Sequence, residues 1–216
     1  MPRKIKHRRY DASGRRAAAA STRARILAAA RKLFVVRGYP GTKMEDVAAD
    51  AQVALDTVYA SVGTKVKLFR LLVETAISGT DRPIPAERRQ YVQFIKAERD
   101  PARKLEMYAR AMAVIQGRLA PLVAILRSAA PAHEDLAALW RRISSRRARN
   151  MRKLVADVAE AGALRPGVAP EEAADVVWAM TSPEVYVLLV GERSWPSERY
   201  VRWLSDELRR YLLLDL

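Results

Sequence analysis

Side chains able to do covalent or metal chemistry are scarce in this sequence. The 216 residues include no cysteine and only two histidines, His7 and His133, which lie far apart. This composition excludes disulfides, thiolate nucleophiles and cysteine-ligated zinc or iron–sulfur sites. Neither a glycine-rich phosphate-binding loop nor a Gly-x-Ser-x-Gly nucleophile motif is found along the chain. We therefore expect a protein that is not an enzyme and that uses no metal and no cofactor.

Basic side chains, which bind polyanions, are in contrast abundant and unevenly distributed. The chain has 39 Lys and Arg against 24 Asp and Glu, a net charge of +15. Residues 1–70 hold 16 basic and 5 acidic side chains, so a third of the chain carries +11 of that charge. This asymmetry favours a nucleic acid or an acidic membrane surface as partner. Residues 1–25 lack the Trp, Phe or Leu anchors of an interfacial helix, which favours nucleic acid.

Charged residues also interrupt every apolar stretch. The longest uncharged run has eight residues, for example Leu119–Leu126. A membrane-spanning helix needs about 20 apolar residues, and no apolar core of signal-peptide length follows the basic start of the chain. We expect a cytoplasmic protein that does not enter the membrane.

The elements that must position the basic residues are helices. Residues 1–20 show no apolar periodicity and hold seven Lys or Arg, which predicts a flexible basic arm. From Ser21, which with Thr22 is a candidate cap, apolar residues recur at steps of three and four up to Phe34. Gly38 and Pro40 then predict the end of this helix.

Two short helices are predicted next, separated by a tight turn. Thr42-Lys-Met-Glu45 matches a capping box, which predicts that Thr42 begins the second helix. The segment Gln52–Ala54 interrupts it, and Leu55–Ser61 reads as a further two-turn helix, followed by a helix over Lys65–Ser78 capped by Thr64. A two-turn helix held across a partner fits the major groove of DNA, about 12 Å wide. The pattern predicts a helix-turn-helix.

Residues beyond 80 read as longer helices divided by glycine and proline, so the predicted fold class is all-α. One helix begins at Pro101, capped by Asp100, and is expected to end at Gly117. The further predicted helices are Leu119–Ala130 (kinked or started at Pro121), Glu134–Ala161, Pro170–Val190 and Pro196–Leu214.

Four linked motifs make the N-terminal pattern specific. They are Phe34-x3-Gly38-Tyr39, Thr42-x-Met44-Glu45-Asp46-Val47-Ala48, Val53-x3-Thr57-Val58-Tyr59 and Thr64-Lys65-x2-Leu68. In order and spacing, residues 21–70 resemble the DNA-binding domain of the TetR (tetracycline-repressor-like) family of bacterial transcriptional regulators.

The sequence departs from the family pattern at four positions. Gln52 stands where the turn usually has glycine and must adopt a strained or altered backbone. Ala54, where serine is usual, cannot cap the helix Leu55–Ser61, which corresponds to the recognition helix of the family. Ser61 and Val62 replace a usual aromatic pair.

The resemblance implies roles for seven residues. Three residues on the outer face of the recognition helix would meet base edges, and the other four would contact the DNA backbone. The base-reading set is Leu55, Asp56 and Thr57, and the backbone set is Thr42, Lys43, Tyr59 and Lys65. Three alternatives stay open: Leu55 fills the core, Asp56 serves only the helix dipole, and Tyr59 only packs.

The resemblance also implies a C-terminal domain that forms homodimers and binds a small, mostly apolar ligand. The candidate lining residues are Tyr108, Met112, Trp140, Arg147, Met151 and Trp178. Apart from Arg147, the alternative for each of them is an ordinary core residue. Arg147 falls within an apolar stripe, so it either extends outward along its stem or faces a pocket and pairs with an anion.

These expectations define three segments: the arm over residues 1–20, a DNA-binding domain over 21–80 and a helical dimerisation and ligand domain over 81–216. They imply a repressor that binds a pseudo-palindromic operator on double-stranded DNA as a homodimer. The alternative is a non-regulatory protein that coats nucleic acid through the basic arm.

Overall fold

The computed structural model describes residues 12–213, and the all-α prediction is confirmed because these residues form helices without a strand. A 3-10 turn spans Ala86–Arg88, another spans Ala130–Ala132, and a π-helix spans Val187–Glu192. The α-helices are α1 (Ala12–Arg37), α2 (Met44–Asp50), α3 (Leu55–Val62), α4 (Lys65–Ser78), α5 (Gln90–Ala97), α6 (Pro101–Ala129), α7 (Glu134–Glu160), α8 (Pro170–Met180), α9 (Pro183–Tyr186) and α10 (Ser197–Leu212).

The first helix begins earlier than the sequence indicated. The prediction of a flexible arm is wrong for residues 12–20, which extend α1, whereas residues 1–11 lie outside the described part of the chain. Ser21 and Thr22 are therefore interior residues of α1 rather than caps. The reason is intrinsic propensity, since Ala17–Ala20 and the neighbouring arginines are among the best helix formers.

The central helix α6 is unbroken, so the prediction of two helices here is wrong. Gly117 and Pro121 both lie inside it, although proline lacks the N–H of a helical hydrogen bond. Buried Leu119 and Leu122 hold the helix in the core on either side of that defect. Gly117 serves a close approach, because a Cβ there would lie 3.3 Å from the Tyr186 hydroxyl.

The region predicted as one helix over Pro170–Val190 is divided. The Thr181 hydroxyl donates to the Val177 carbonyl at the end of α8, and Pro183 starts a new helix capped by the Ser182 hydroxyl. The chain then passes into the π-helix, so residues 185–190 are helical as predicted but belong to separate elements.

One apolar core runs from α1 to α10, with α6 packed against α4, α7 and α10. By length and hydropathy alone, Pro101–Ala132 and Pro170–Glu192 could each cross a membrane. This test carries little weight for the first stretch, because the central helix of a folded core also passes it.

Three polar contacts join α1 and α4 to the helices that follow them. Arg118 Nε on α6 donates to the Ala76 carbonyl on α4 at 2.9 Å, and Arg31 Nη2 on α1 donates to the Arg118 carbonyl at 2.7 Å. Glu74 on α4 pairs with Arg146 on α7 at 3.0 Å. The helix-turn-helix is thereby fixed to the C-terminal helices.

Candidate DNA-binding and ligand-binding sites

The turn between α2 and α3 sets the angle of the recognition helix. Gln52 has a φ of +54°, which confirms the altered backbone expected at this position. The Gln52 N–H donates to the Ala49 carbonyl at 3.1 Å and the Val53 N–H to the Ala48 carbonyl at 3.0 Å. This pair of bonds is a Schellman motif, a helix ending that glycine usually provides.

Side chains from α1 hold the two short helices in place. Lys32 pairs with Asp50 at 2.6 Å, and Arg37 pairs with Asp46 at 2.8 Å, so both ends of α2 are tied to α1. Arg23 Nη1 donates to the Ser61 carbonyl at 2.7 Å and ties the end of α3 to the same helix. Sequence reasoning missed Arg23, because nothing local distinguishes it from the other arginines of α1.

The outer face of α3 is free of the core. Val58 and Val62 are buried beneath it, while Asp56, Thr57 and Tyr59 are exposed, with Tyr59 44% accessible. Ala54 precedes α3 without a side-chain cap, as predicted. The exposed face presents a carboxylate and two hydroxyls, which are groups able to reach base edges and phosphates.

Two of the seven residues implied by the resemblance are placed otherwise. Thr42 is 1% exposed, and its hydroxyl donates inward to the Gly38 carbonyl at 2.8 Å. The capping-box prediction is therefore wrong: Lys43 occupies the N-cap of α2 and makes no side-chain cap bond. Leu55 is half-buried and packs against the core, which favours its alternative reading as a packing residue.

The two candidate DNA-contacting lysines, Lys43 and Lys65, differ in how firmly the fold holds their side chains. Lys43 is exposed at the start of α2. Lys65 Nζ lies 3.4 Å from the Pro40 carbonyl and 4.4 Å from the centre of the Tyr39 ring, and partial burial lowers the pKa of Lys65. Lys65 is thus held against the turn between α1 and α2, whereas Lys43 can adjust to a phosphate.

A cavity of about 460 Å³ lies between α5, α6 and α7, with Ile77 of α4 at its wall. Four of the six predicted lining residues border it: Tyr108, Met112, Arg147 and Met151. Trp140 and Trp178 do not, so their assignment to the lining is wrong. Instead, the Arg127 guanidinium lies over the Trp140 ring, 5.4 Å from its centre, and the Arg147 guanidinium lies over the Trp178 ring, 4.7 Å from its centre.

The inner wall of this cavity is polar where it meets the end of α8. Arg147 borders the cavity, as in its pocket-facing alternative, but its Nη2 group donates to the Trp178 carbonyl instead of being free to pair with an anion. Gln116 Nε2 donates to the Thr181 carbonyl at 2.7 Å, and the Tyr108 hydroxyl donates to Met151 Sδ at 3.0 Å. Burial lowers the pKa of Arg147 and raises that of Tyr108. Gln116 was missed, although it follows Met112 and Ile115 on an apolar face.

An open cleft of about 720 Å³ adjoins the cavity. It runs from the end of α3 along α4 to α7, with Pro83–Ala86 on one side. Cavity and cleft share six lining residues: Ala86, Glu87, Arg89, Arg146, Asn150 and Lys153. We name this surface the basic cleft, because seven basic and two acidic side chains line it: Arg23, Lys67, Arg70, Arg89, Arg146, Arg149 and Lys153, with Glu74 and Glu87.

The part of the chain that the structure describes contains no cluster of metal-ligating side chains. Within residues 12–213, no group of three or more His, Asp or Glu side chains is placed to hold a metal ion.

The arrangement defines a helical protein with a helix-turn-helix at one end and a ligand-sized cavity behind it. Residues 26–72 match the profile of bacterial regulatory proteins of the tetR family. Among solved structures, the chain is similar to NalD, the secondary repressor of the MexAB-OprM multidrug efflux pump in Pseudomonas aeruginosa. That likeness has 23% identity and a TM-score of 0.68 over 90% of this chain and 98% of NalD.

The chain is also similar to SmeT in its complex with triclosan, with 18% identity and a TM-score of 0.65 over 90% of this chain and 92% of SmeT. At these identities the likeness shows the fold. A comparison with curated proteins found no match. The family match covers residues 26–72 and identifies this segment as similar to the TetR family of bacterial regulatory proteins.

Proposed function

We propose that the protein is a cytoplasmic repressor that binds a pseudo-palindromic operator as a homodimer and is released from it by a small, mostly apolar ligand. The observation that carries this proposal is the exposed face of α3 above an anchored turn. Support for repression and ligand release comes by analogy from NalD, a repressor, and from SmeT, which binds triclosan. In this proposal residues 12–80 form the DNA-binding domain and residues 81–216 the dimerisation and ligand domain.

The DNA contacts divide by chemistry. Asp56 and Thr57 would meet base edges, because they are exposed on the outer face of α3. Lys43, Tyr59 and Lys65 would contact phosphates, which fixes the register of the protein without reading sequence. Thr42 and Leu55 are left out, since one is bonded inward and the other packs against the core.

Two features support a homodimer: the short length of the recognition helix α3 and one poorly buried apolar segment. One two-turn helix contacts too few base pairs to specify an operator, so two copies are needed. The π-helix contains the sequence Val187-Leu-Leu-Val190, yet none of its residues is buried and Leu188 is 50% exposed. An apolar run that the described residues only partly cover supports an interface at this segment. We place the dimer contact there, with Trp195, Trp203 and Tyr211 of the neighbouring segment as contributors.

Release would pass through the contacts that join cavity and DNA-binding helices. Ile77 of α4 touches the cavity, and Arg146 lines the cavity while pairing with Glu74 of α4. A ligand that prefers one position of α7 or α4 therefore biases the spacing of the two recognition helices.

The test is selection of bound duplexes from a random pool, followed by binding of the selected site. Thr57→Ala should change the preferred bases, whereas Lys43→Ala and Tyr59→Phe should weaken binding to every sequence. Arg141→Ala, an exposed arginine on α7, is the matched control and should leave binding unchanged. If no palindrome is selected and random duplex binds equally well, the chain coats nucleic acid instead.

A further inference from the structure

The basic cleft has an excess of positive charge that the described residues do not neutralise. Its two acids are already engaged, Glu74 with Arg146 at 3.0 Å and Glu87 with Lys153 at 3.2 Å. Within residues 12–213, Lys67, Arg70 and Arg149 of the cleft form no ion pair. Several cations converging on one concave surface indicate an anion with more than one charge.

The cavity next to it offers a different environment. Its lining combines apolar side chains, among them Ile95, Met112, Ile115, Leu119 and Ile143, with charged ones that include Lys96, Asp157 and Glu160. A volume of about 460 Å³ lies within the range of small-molecule pockets, and the apolar part of the lining favours an apolar chain.

The polar inner end of the cavity is closed to a charged head group. The Arg147 guanidinium lies over the Trp178 ring and donates to the Trp178 carbonyl. Its remaining Nη1 group and the Gln116 Oε1 atom have no exposed surface, so a ligand would reach them only after a rearrangement. The accessible positive charge lies at the other end, toward the cleft.

Arg89 and Arg146 mark the junction, because both line the cavity and the cleft. Arg89 is only 7% exposed and is positioned by the bond from its Nε to the Ile84 carbonyl at 3.0 Å. Arg146 Nη2 is buried without a partner. The Arg146 guanidinium bonds the Glu74 carboxylate through Nη1, but a buried Nη2 group without an acceptor is costly unless an anion or a water completes it.

We infer that the effector is an amphiphile with an apolar chain in the cavity and a phosphate-bearing, multiply charged head in the basic cleft. This inference deepens the proposed function, because it names the class of ligand that releases the protein from DNA. The shared chemistry has two sources, an acyl chain on a phosphorylated nucleotide carrier and an acyl chain on a simple phosphate.

Calorimetric titration of the full chain without DNA tests the ligand class. The probes are decanoyl-coenzyme A, coenzyme A, decyl phosphate, decanoate and decyltrimethylammonium. We expect decanoyl-coenzyme A or decyl phosphate to bind at least about tenfold more tightly than decanoate, with added salt reducing the difference. The stronger of the two identifies the source. Shortening the chain from decanoyl to butanoyl should weaken binding by about fourfold per methylene removed.

Substitutions in the cleft locate the head group. Arg149→Gln and Arg70→Gln should each weaken the phosphate-bearing probe about threefold to tenfold and leave decanoate unchanged. Arg152→Gln is the matched control, because Arg152 is exposed on the same helix as Arg149 and lines neither the cavity nor the cleft. Both cleft positions are exposed, so folding should be unaffected, and a thermal melt checks this.

The inference is overturned if decanoate or the cationic probe binds as tightly as the phosphate-bearing probes, or if Arg149→Gln behaves like Arg152→Gln. It is also overturned if Arg149→Gln weakens operator DNA alone, since the cleft would then be a DNA surface. A probe that binds through the cleft but does not release the operator would support the ligand class and contradict the release step of the proposed function.

Discussion

The helix-turn-helix and the C-terminal cavity treat their polar side chains differently. Around α2 and α3, ion pairs at 2.6 Å and 2.8 Å and the bond from Arg23 to Ser61 fix the backbone, while Asp56, Thr57 and Tyr59 extend into solvent. Around the cavity, polar atoms are buried, and several have no partner within residues 12–213.

Under the proposed function, this difference corresponds to two kinds of recognition. A DNA-reading face works as a rigid support for exposed groups, because base contacts require a fixed register. A cavity that responds to a ligand gains from groups that are incompletely satisfied without it, since binding then changes the balance between two arrangements.

Phe34→Ala tests how far the stability of the helix-turn-helix depends on its aromatic core. Phe34 is fully buried, with the Phe69 ring at 5.0 Å and the Tyr39 ring at 5.8 Å. We expect the free energy of unfolding in urea to fall by about 3–5 kcal/mol, with loss of DNA binding. Phe94→Ala, which removes a ring that is 55% exposed, is the control. Equal losses for both variants would contradict the assignment of the aromatic core.

Glu74→Gln breaks the ion pair that joins α4 to the cavity. Because the Glu74 side chain is 14% exposed and that of Arg146 is 30% exposed, we expect a loss of about 1–3 kcal/mol in unfolding free energy. Ligand-induced release from the operator should weaken as well. The control is Glu106→Gln, which removes the exposed pair with Arg110 and should cost less than about 0.5 kcal/mol. Unchanged release would show that the coupling takes another route.

Tyr200→Phe should flatten the loss of stability at alkaline pH. Burial raises the pKa of Tyr200 above its ordinary value of 10.0, and the fold therefore favours the protonated phenol. This stabilisation is fully present below pH 10 and is lost as the pH rises toward the folded-state pKa, by about 1.4 kcal/mol per pH unit.

The effect is measured as the midpoint of urea unfolding at pH values from about 8 to about 11, a range that includes the ordinary pKa of tyrosine. Below pH 9, about one unit under the ordinary pKa, the variant should be as stable as the parent, because the Tyr200 hydroxyl has no hydrogen-bond partner to lose. Tyr59→Phe, at an exposed position, should leave the profile unchanged. Parallel profiles for all three proteins would rule out Tyr200 as a source of the alkaline loss.

Gln52→Gly should stabilise the turn that aims α3. A non-glycine residue at a φ of +54° costs about 1–2 kcal/mol, part of which the greater flexibility of unfolded glycine offsets. We expect a net gain of about 0.5–1 kcal/mol in unfolding free energy. Gln93→Gly, on the exposed side of α5, should destabilise by about 1 kcal/mol, because glycine disfavours a helix interior. A destabilised Gln52→Gly would mean that the Gln52 side chain makes a stabilising contact.

Features that arise within a few residues could be predicted from the sequence. Thr64 caps α4 and Asp100 caps α6 as predicted, because a hydroxyl or carboxylate one residue before a helix reaches its free N–H groups. The bounds of α4 and the position of the turn at Gln52 were also correct, since glycine and apolar spacing mark them locally.

Features that depend on partners distant in sequence could not be predicted in this way. The Thr42 hydroxyl turns inward to the Gly38 carbonyl rather than capping α2. Helix α6 continues through Gly117 and Pro121 because the residues on either side of Pro121, Leu119 and Leu122, are buried in the core. The basic cleft joins side chains from α1, α4 and α7, whose charges read along the chain as ordinary solvated residues. Periodicity records which face of a helix is apolar, but not which helix it meets, so the cavity and the cleft become visible only once the chain is folded.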